Sequence, residues 1–218
     1  MNFTLRTLAT VEGCYPEKFG VPRQSGLVPS ARGRLVFEPD VPEAAYGELS
    51  QFSHLWVNFI FHDVREGETR WTVRPPRLGG NEKIGVLATR SPFRPNRLGL
   101  SLVRLEGVGR GYLEVSGLDL VDGTPVVDVR PYLPYAEALP EACGGFAGEA
   151  PGKVEVRFPE KTDLCEEEMG LIRETLALDP RPAFHKDPTR VYFLRVRGLE
   201  VHWRSNEERV EILKWVRG

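Results

Sequence analysis

Short runs in which apolar and polar residues alternate dominate the first two thirds of the chain. Leu55, Val57, Phe59 and Phe61 take every second position within residues 54–62, which is the period of a half-buried strand. The same reasoning predicts strands at residues 3–11, 32–37, 69–73, 84–88, 98–105, 112–118 and 125–129, and one short helix at residues 41–49. Many short strands separated by Gly, Pro and Asp turns predict a mainly β fold, with a closed antiparallel β-barrel or a sandwich at the N-terminal end.

The pattern changes after a stretch rich in glycine and proline at residues 135–151, which predicts a linker or boundary loop. Beyond it we expect a helix over residues 165–177, capped by Thr162 or Asp163 and stopped before Pro180. Two strands paired around Gly198 and a final strand are then predicted, at residues 190–197, 199–204 and 208–216. The sequence therefore predicts two domains, a barrel at residues 1–140 and a small α+β domain at residues 152–218.

The net charge, the cysteine spacing and the length of the apolar runs limit which partners and which cellular location we expect. The formal net charge of −2 over 218 residues means that a polyanion would have to be bound by a local patch. Cys14, Cys143 and Cys165 lack CxxC spacing, which favours reduced thiols in a cytosolic protein. Because Arg6 interrupts a polar N-terminus and no apolar run is long enough to span a bilayer, we expect a cytoplasmic protein without a membrane partner.

The charge is segregated along the chain. Between residues 70 and 104 the only acidic residue is Glu82. The cations in this range are Arg70, Arg74, Arg77, Lys83, Arg90, Arg94, Arg97 and Arg104. Pro92 and Pro95 stiffen the backbone that carries three of them. Arginine on a rigid loop suits carboxylate and phosphate. A solvated surface loop is the alternative, but clustering and stiffening favour a binding site.

The sequence does not support a metal site, a serine hydrolase or a common phosphate-binding loop. His54 and His62 share one strand face but would lie about 26 Å apart at the usual rise per residue, so a shared metal is not expected. No GxSxG elbow follows a strand, and neither the GxGxxG nor the GxxxxGK[ST] phosphate loop occurs. A nucleotide-like cofactor would therefore need another type of fold.

Two further segments carry candidate groups. Asp122 precedes Gly123 in a predicted hairpin turn and could serve only the backbone, whereas Asp119 lies between two leucines and could bind a ribose diol or an amine. Arg181, His185 and Lys186 lie on a proline-rich loop after the predicted helix. That loop suits phosphate contact with base stacking, with a plain helix stop as the alternative.

Six separated motifs, in order, resemble one family over nearly the whole chain. They are EKFGVPRQSGLV, FSHLWVNFIFH, TVRPPRLGGN, ATRSPFRPNRLGLS, LDLVDGTPVVDVRPYLPYAEALP and DPRPAFHKD. The chain resembles the TsaA-like (YaeB-type) family, and the last motif is similar to the TrmO type of tRNA methyltransferase.

This resemblance implies a homodimeric antiparallel barrel that binds S-adenosylmethionine, with a smaller C-terminal domain. The implied reaction is N6-methylation of threonylcarbamoyladenosine at position 37 of tRNA, without a metal. The implied cofactor residues are Pro22, Arg23, Gln24, His62, Asp63, Arg90, Leu100, Asp119, Leu120, Val121 and Asp122. Asp63 departs from the family pattern, in which glutamine often follows the histidine.

The chemistry of such a transfer sets expectations for individual residues. Arg90 or Arg23 suits the methionine carboxylate, and a general base is needed for the acceptor nitrogen. The candidate bases are His62, Asp63, Asp119 and Asp122. For tRNA and its threonyl carboxylate the candidates are Arg77, Arg94, Arg97, Arg181, His185 and Lys186. The competing functions are a non-catalytic barrel that binds S-adenosylmethionine or RNA as a sensor or adaptor, and methyl transfer to another acceptor.

Overall fold

A closed six-stranded antiparallel barrel forms the N-terminal part of the molecule. A computed structural model describes residues 3–182, 185, 187–206 and 208–218. The barrel strands are β1 (Ala9–Glu12), β2 (Gly33–Phe37), β3 (His54–Ile60), β6 (Leu98–Gly109), β7 (Tyr112–Ser116) and β8 (Pro125–Pro131). They follow one another around the barrel in the order β1-β2-β7-β6-β3-β8. The predicted mainly β fold with a barrel is confirmed.

Alternation along the strands explains why the barrel closes. In β3 every second residue is buried, with Leu55, Val57 and Phe59 pointing inward. This strand pairs with β6 through Val57 and Ser101 and with β8 through Val57 and Val129. Closure removes open sheet edges and leaves the outward positions of each strand to solvent or ligands.

A small hairpin stands outside the barrel between β3 and β6. Its strands are β4 (Thr72–Val73) and β5 (Ile84–Gly85), which pair antiparallel. The predicted strand at 84–88 is too long, because Val86–Ala88 forms a 3-10 turn. Thr89 ends that turn by donating its hydroxyl hydrogen to the carbonyl of Val86 at 2.8 Å.

The C-terminal part is a four-stranded sheet covered by a helix. Its strands are β9 (Glu155–Arg157), β10 (Tyr192–Val196), β11 (Leu199–Ser205) and β12 (Arg209–Arg217), in the order β10-β11-β12-β9. The helices are a short α1 (Pro134–Glu137) and α2 (Glu166–Ala177). Cys165 is the N-cap of α2, not Thr162 or Asp163, and Glu168 completes a capping box with it.

Proline and glycine interrupt the helix predicted before β3. The helix expected at residues 41–49 is replaced by two 3-10 turns, Glu43–Ala45 and Gly47–Gln51. Pro42 and Gly47 lie at their starts, and both residue types disfavour a continuous α-helix. No helix in the described ranges is both long and apolar enough to cross a membrane.

One continuous core joins the barrel to the C-terminal sheet. The segment between β1 and β2 lies at this junction: the Tyr15 and Thr175 hydroxyl oxygens are hydrogen bonded at 3.0 Å, buried from solvent. The backbone N–H of Ser30 donates to Glu174 of α2 at 2.9 Å. This segment also carries Gln24, so the junction positions a predicted site residue.

Candidate active site

Arg90 and Gln24 meet although they belong to different loops. Arg90 follows the 3-10 turn Val86–Ala88, and its guanidinium Nη1 donates a hydrogen bond to Gln24 Oε1. Gln24 Nε2 in turn donates to the backbone carbonyl of Arg23. The amide therefore orients the guanidinium while most of the arginine's donors remain available to a carboxylate.

Asp119 lies next to this pair. Ser101, buried on β6, donates its hydroxyl hydrogen to Asp119 Oδ1 at 2.6 Å. The backbone N–H of Ser25 also donates to the Asp119 carboxylate. Ser25 is itself held in place, since its Oγ accepts a hydrogen bond from the N–H of Leu102 at 3.2 Å.

The electrostatics of Asp119 follow from its enclosure. Burial raises the pKa of Asp119 to about 6, against the smaller lowering effects of the Ser101 hydrogen bond and the positive charge of Arg90. The carboxylate is therefore mostly ionised at neutral pH. Gln24 binds Arg90 and its neighbour Ser25 binds Asp119, so one loop holds a cation and an anion in the same region, which suits a zwitterion that carries both a carboxylate and an ammonium group.

His62 and Asp63 form a second group just beyond β3. The distance from His62 Nε2 to Asp63 Oδ1 is 3.6 Å. Lys18 reaches the same residue, with Nζ donating to the Asp63 carbonyl at 3.1 Å and lying 3.7 Å from its Oδ2. An imidazole beside a carboxylate can accept a proton and have the resulting charge stabilised.

Asp122 serves the turn that carries it. Its Oδ1 accepts a hydrogen bond from the N–H of Gly13 at 2.8 Å, and Gly123 adopts the left-handed φ of +76° that this turn requires. Leu120 is buried in the core, and the Val121 carbonyl accepts from Thr124. The structure thus favours the turn interpretation of Asp122.

The remaining predicted cofactor residues are Pro22, Arg23 and Leu100. Pro22 is buried and Arg23 is exposed, immediately before Gln24. Leu100 projects outward from β6 with half of its surface exposed and pairs with Asn58 of β3. An exposed leucine can cover an apolar ring, and Leu100 is next in sequence to Ser101, which binds Asp119.

The predicted tRNA-binding arginines of the barrel are held by backbone carbonyls. Nη1 of Arg94 donates to the carbonyl of Thr89 at 3.2 Å, and Nη1 of Arg97 donates to the carbonyl of Val64 at 2.9 Å. Arg77 donates to the carbonyl of Glu149 at 2.5 Å. These bonds fix the arginines in position without neutralising their charge.

Arg181 occupies a different environment. It is only 8% exposed, and its guanidinium bonds both oxygens of Asp179 at 2.7 Å and the Ser205 carbonyl at 3.2 Å. This geometry favours a role in fixing the loop over direct contact with phosphate. His185 Nε2 lies 3.4 Å from Arg190 Nη1, and Lys186 falls outside the described residues.

Ser25, Ser101 and Lys18 are site residues that the sequence did not reveal. Ser101 occupies a buried position of β6, a strand in which buried and exposed residues alternate. A serine at a position where this alternation predicts an apolar residue is the one feature of the sequence that points to its role. The contact between Ser101 and Asp119 depends on the pairing of β6 with β7, which the sequence does not show. Within the described ranges, no cluster of three or more His, Cys, Asp or Glu side chains is arranged to hold a metal ion.

Comparison with known proteins yields a consistent set of relatives. Residues 10–138 match the family model of the tRNA-methyltransferase O N-terminal domain, and residues 151–217 match that of the TrmO C-terminal domain. The chain is 43% identical over 234 aligned residues to a tRNA (adenine(37)-N6)-methyltransferase of Escherichia coli K12, covering 97% of each chain. It is 45% identical over 215 residues to a putative S-adenosylmethionine-dependent methyltransferase of Pseudomonas aeruginosa, covering 93% of each. The crystal structure of TrmO from Pseudomonas aeruginosa superposes with a TM-score of 0.84 at 35% identity, covering 99% of both chains.

Proposed function

The chain belongs to the tRNA-methyltransferase O family, and we propose that its acceptor is threonylcarbamoyladenosine at position 37 of tRNA. It is an S-adenosylmethionine-dependent methyltransferase that modifies N6 of adenosine 37 in tRNA. The observation that supports the assignment of the site is that consecutive residues, Gln24 and Ser25, bind Arg90 and Asp119.

The donor set fits the methionine end of S-adenosylmethionine. Arg90, oriented by Gln24, would hold the carboxylate, and Asp119, oriented by Ser101, would hold the ammonium group. Leu100 offers an apolar surface for the adenine or ribose. The bound cofactor supplies a methyl group already activated on a sulfonium, so the protein contributes chiefly positioning, which is worth roughly 7–11 kcal/mol in well-oriented reactions.

His62 is the proposed base for the acceptor nitrogen. The N6 lone pair is delocalised, so its proton must leave before or during methyl transfer. Asp122 is bonded to the Gly13 N–H, and Asp119 is buried and accepts hydrogen bonds from the Ser101 hydroxyl and from the backbone N–H groups of Ser25 and Asp119 itself. His62 remains partly exposed beside Asp63, so its imidazole would accept the proton and the Asp63 carboxylate would stabilise the imidazolium.

The threonyl carboxylate of the acceptor explains the positive charge around the site. Arg94 and Arg97 keep their charge uncompensated at the loop that carries Arg90. We therefore assign them, with Arg77, to the threonyl carboxylate and neighbouring phosphates. In this proposal residues 1–140 bind the cofactor, whereas residues 152–218 contribute further tRNA contacts through the loop containing His185.

The outer face of β3 and β6 supports a homodimer. Leu98 and Leu100 are 36% and 50% exposed on adjacent outward positions of β6. Ile60 pairs directly with Leu98, which continues the apolar surface across the two strands. Apolar residues that cluster in this way mark interaction surfaces, and we propose that a second copy covers Leu98 and Ile60, whereas Leu100 next to them contacts the cofactor. Because its acceptor is tRNA, we also propose a cytoplasmic location.

The test of this function is transfer of a labelled methyl group from S-adenosylmethionine to purified tRNA. Incorporation at N6 of threonylcarbamoyladenosine 37 is the expected result. Cofactor binding without transfer to any tRNA would instead identify a binding protein that acts as a sensor or adaptor.

A further inference from the structure

Trp71 is an exposed aromatic side chain on the hairpin outside the barrel. It immediately precedes β4 and is 69% exposed. Its backbone is nevertheless well fixed, because the N–H of Val86, itself buried, donates to the Trp71 carbonyl at 2.9 Å. A large indole held on a rigid backbone and offered to solvent is not explained by packing within this chain.

The hairpin belongs to a segment whose positive charge is left uncompensated. We define the basic segment as residues 70–97, in which Glu82 is the only acid. Its cations are Arg70, Arg74, Arg77, Lys83, Arg90, Arg94 and Arg97. Across the part of the chain that the structure describes, none of these cations forms an ion pair, whereas arginines elsewhere, such as Arg34, Arg195 and Arg217, do.

The contacts made by these cations preserve their charge. Arg77, Arg94 and Arg97 donate to neutral carbonyls, and the guanidinium of Arg70 lies 4.0 Å from the centre of the Phe93 ring. Cations that are grouped in one segment and form no ion pairs create a local field that attracts a polyanion. The chain as a whole has a net charge of −2, so this field is a local property of the segment.

The backbone around Trp71 is hydrogen bonded to the loop that carries Arg90. The backbone N–H of Arg70 donates to the Phe93 carbonyl at 2.9 Å, which joins the hairpin to the loop that holds Arg90. Val86, the partner of Trp71, lies four positions before Arg90 in the sequence. The indole is therefore carried by a backbone that is hydrogen bonded to the segment on both sides of Arg90.

We propose that Trp71 is a stacking platform for an unpaired nucleobase of the anticodon loop beside adenosine 37. Arg74 and Lys83, which flank the paired residues Val73 and Ile84, would contact the adjoining phosphates. An exposed aromatic within a positively charged surface is the combination that single-stranded nucleic acid recognises. The proposal rests on tRNA being the substrate. A second protein copy is a poorer occupant, because two copies of the basic segment would repel each other.

The test compares Trp71→Phe and Trp71→Ala with Tyr135→Ala in the full-length protein. Tyr135 is a matched control, since it is an aromatic residue that is 88% exposed and lies outside the basic segment. The quantities measured are the KM for tRNA, the Kd for S-adenosylmethionine and the molecular mass in solution. We expect Trp71→Ala to raise the KM for tRNA about tenfold or more, Trp71→Phe to retain most of the wild-type affinity, and the Kd for the cofactor to stay unchanged.

Tryptophan fluorescence provides an independent readout. Addition of tRNA should quench emission of the wild-type protein, and Trp71→Phe should lose most of that quenching. Of the other three tryptophans, Trp203 is buried in the core, and Trp56 and Trp215 are half-buried with their indole N–H groups bonded to Glu137 and Asp163. Equal KM values for Trp71→Ala and Tyr135→Ala would overturn the proposal, as would a lower molecular mass of Trp71→Ala, which would show that a second copy covers the indole. Wild-type protein that fails to methylate any tRNA would instead overturn the proposed function.

Discussion

The Ser101 hydroxyl donates a 2.6 Å hydrogen bond to the carboxylate of Asp119. Ser101 faces inward on β6, and Asp119 follows β7, which pairs with β6 in the barrel. The bond therefore ties the rim of the barrel to a buried carboxylate. The backbone N–H of Ser25 donates to the same carboxylate, so a barrel strand and the loop that carries Gln24 both position Asp119.

Replacement of Arg90 by alanine should weaken S-adenosylmethionine binding by about 10- to 100-fold, because a charge-assisted contact to the methionine carboxylate is lost. The fold should persist, since the side chain is exposed and its contact is with another exposed loop. Isothermal titration calorimetry measures the affinity, and thermal unfolding measures the fold. Arg110→Ala, an exposed arginine on the β6–β7 turn, is the matched control and should bind normally. An unchanged Kd in Arg90→Ala would exclude the proposed carboxylate contact.

Replacement of Asp119 by asparagine should raise stability at pH 8 while reducing cofactor affinity. Burial raises the pKa of Asp119 to about 6, so the folded state binds more protons than the unfolded state between about pH 4 and pH 6. The free energy of unfolding therefore falls as pH rises through this interval. Asparagine removes the cost of the buried charge, a gain on the order of 1–3 kcal/mol at pH 8. Urea unfolding at pH 8 measures this difference in the free energy of unfolding. An Asp119→Asn variant that is less stable than the wild type at pH 8 would contradict the claim that the buried charge of Asp119 is costly.

The same carboxyl group predicts a pH dependence of cofactor binding in the wild-type protein. Asp119 becomes protonated below about pH 6 and would then no longer hold the ammonium group. The Kd for S-adenosylmethionine should rise between pH 7 and pH 5, and Asp119→Asn should bind weakly with little dependence on pH over that range. A wild-type Kd that stays constant from pH 7 to pH 5 would argue that Asp119 does not contact the charged amine.

The alternation of apolar and polar residues predicts much of the fold, whereas the site depends on contacts between residues that are far apart in the sequence. The period of two around Val57 predicted β3 closely, because one face of a barrel strand must be apolar. The turn at Val86–Ala88 was predicted as strand, since its apolar composition alone does not distinguish a strand from a 3-10 turn. The loop sequence predicts a phosphate contact for Arg181, and it does not show that the Asp179 carboxylate lies 2.7 Å from the guanidinium, so the tRNA contact of Arg181 stays a prediction.

His62 and Asp122 should respond differently to substitution. His62→Ala should lower kcat by about 10²- to 10⁴-fold, the range for loss of a general base, with little change in the Kd for the cofactor. Asp122→Asn should keep most of the wild-type kcat, because Asp122 serves the Gly13 N–H and asparagine can still accept that bond. Single-turnover methylation measures both variants. Comparable rate losses in the two would contradict the assignment of His62.

Replacement of Arg181 by alanine should destabilise the protein. The substitution leaves the partly buried Asp179 carboxylate without its bidentate partner, at a cost of about 3 kcal/mol. Chemical denaturation measures this loss, and Arg195→Ala, whose ion pair with Glu200 is more exposed, should lose far less. An Arg181→Ala variant with unchanged stability and weakened tRNA binding would favour direct contact with phosphate instead.

The most direct measurement is methyl transfer from labelled S-adenosylmethionine to two preparations of the same tRNA. One carries threonylcarbamoyl on adenosine 37 and the other carries unmodified adenosine there. Incorporation into the modified tRNA alone, with the label on N6 by nucleoside mass spectrometry, is the predicted result. Equal incorporation into both preparations would show that the threonylcarbamoyl group is not recognised, and incorporation into neither would contradict the proposed reaction.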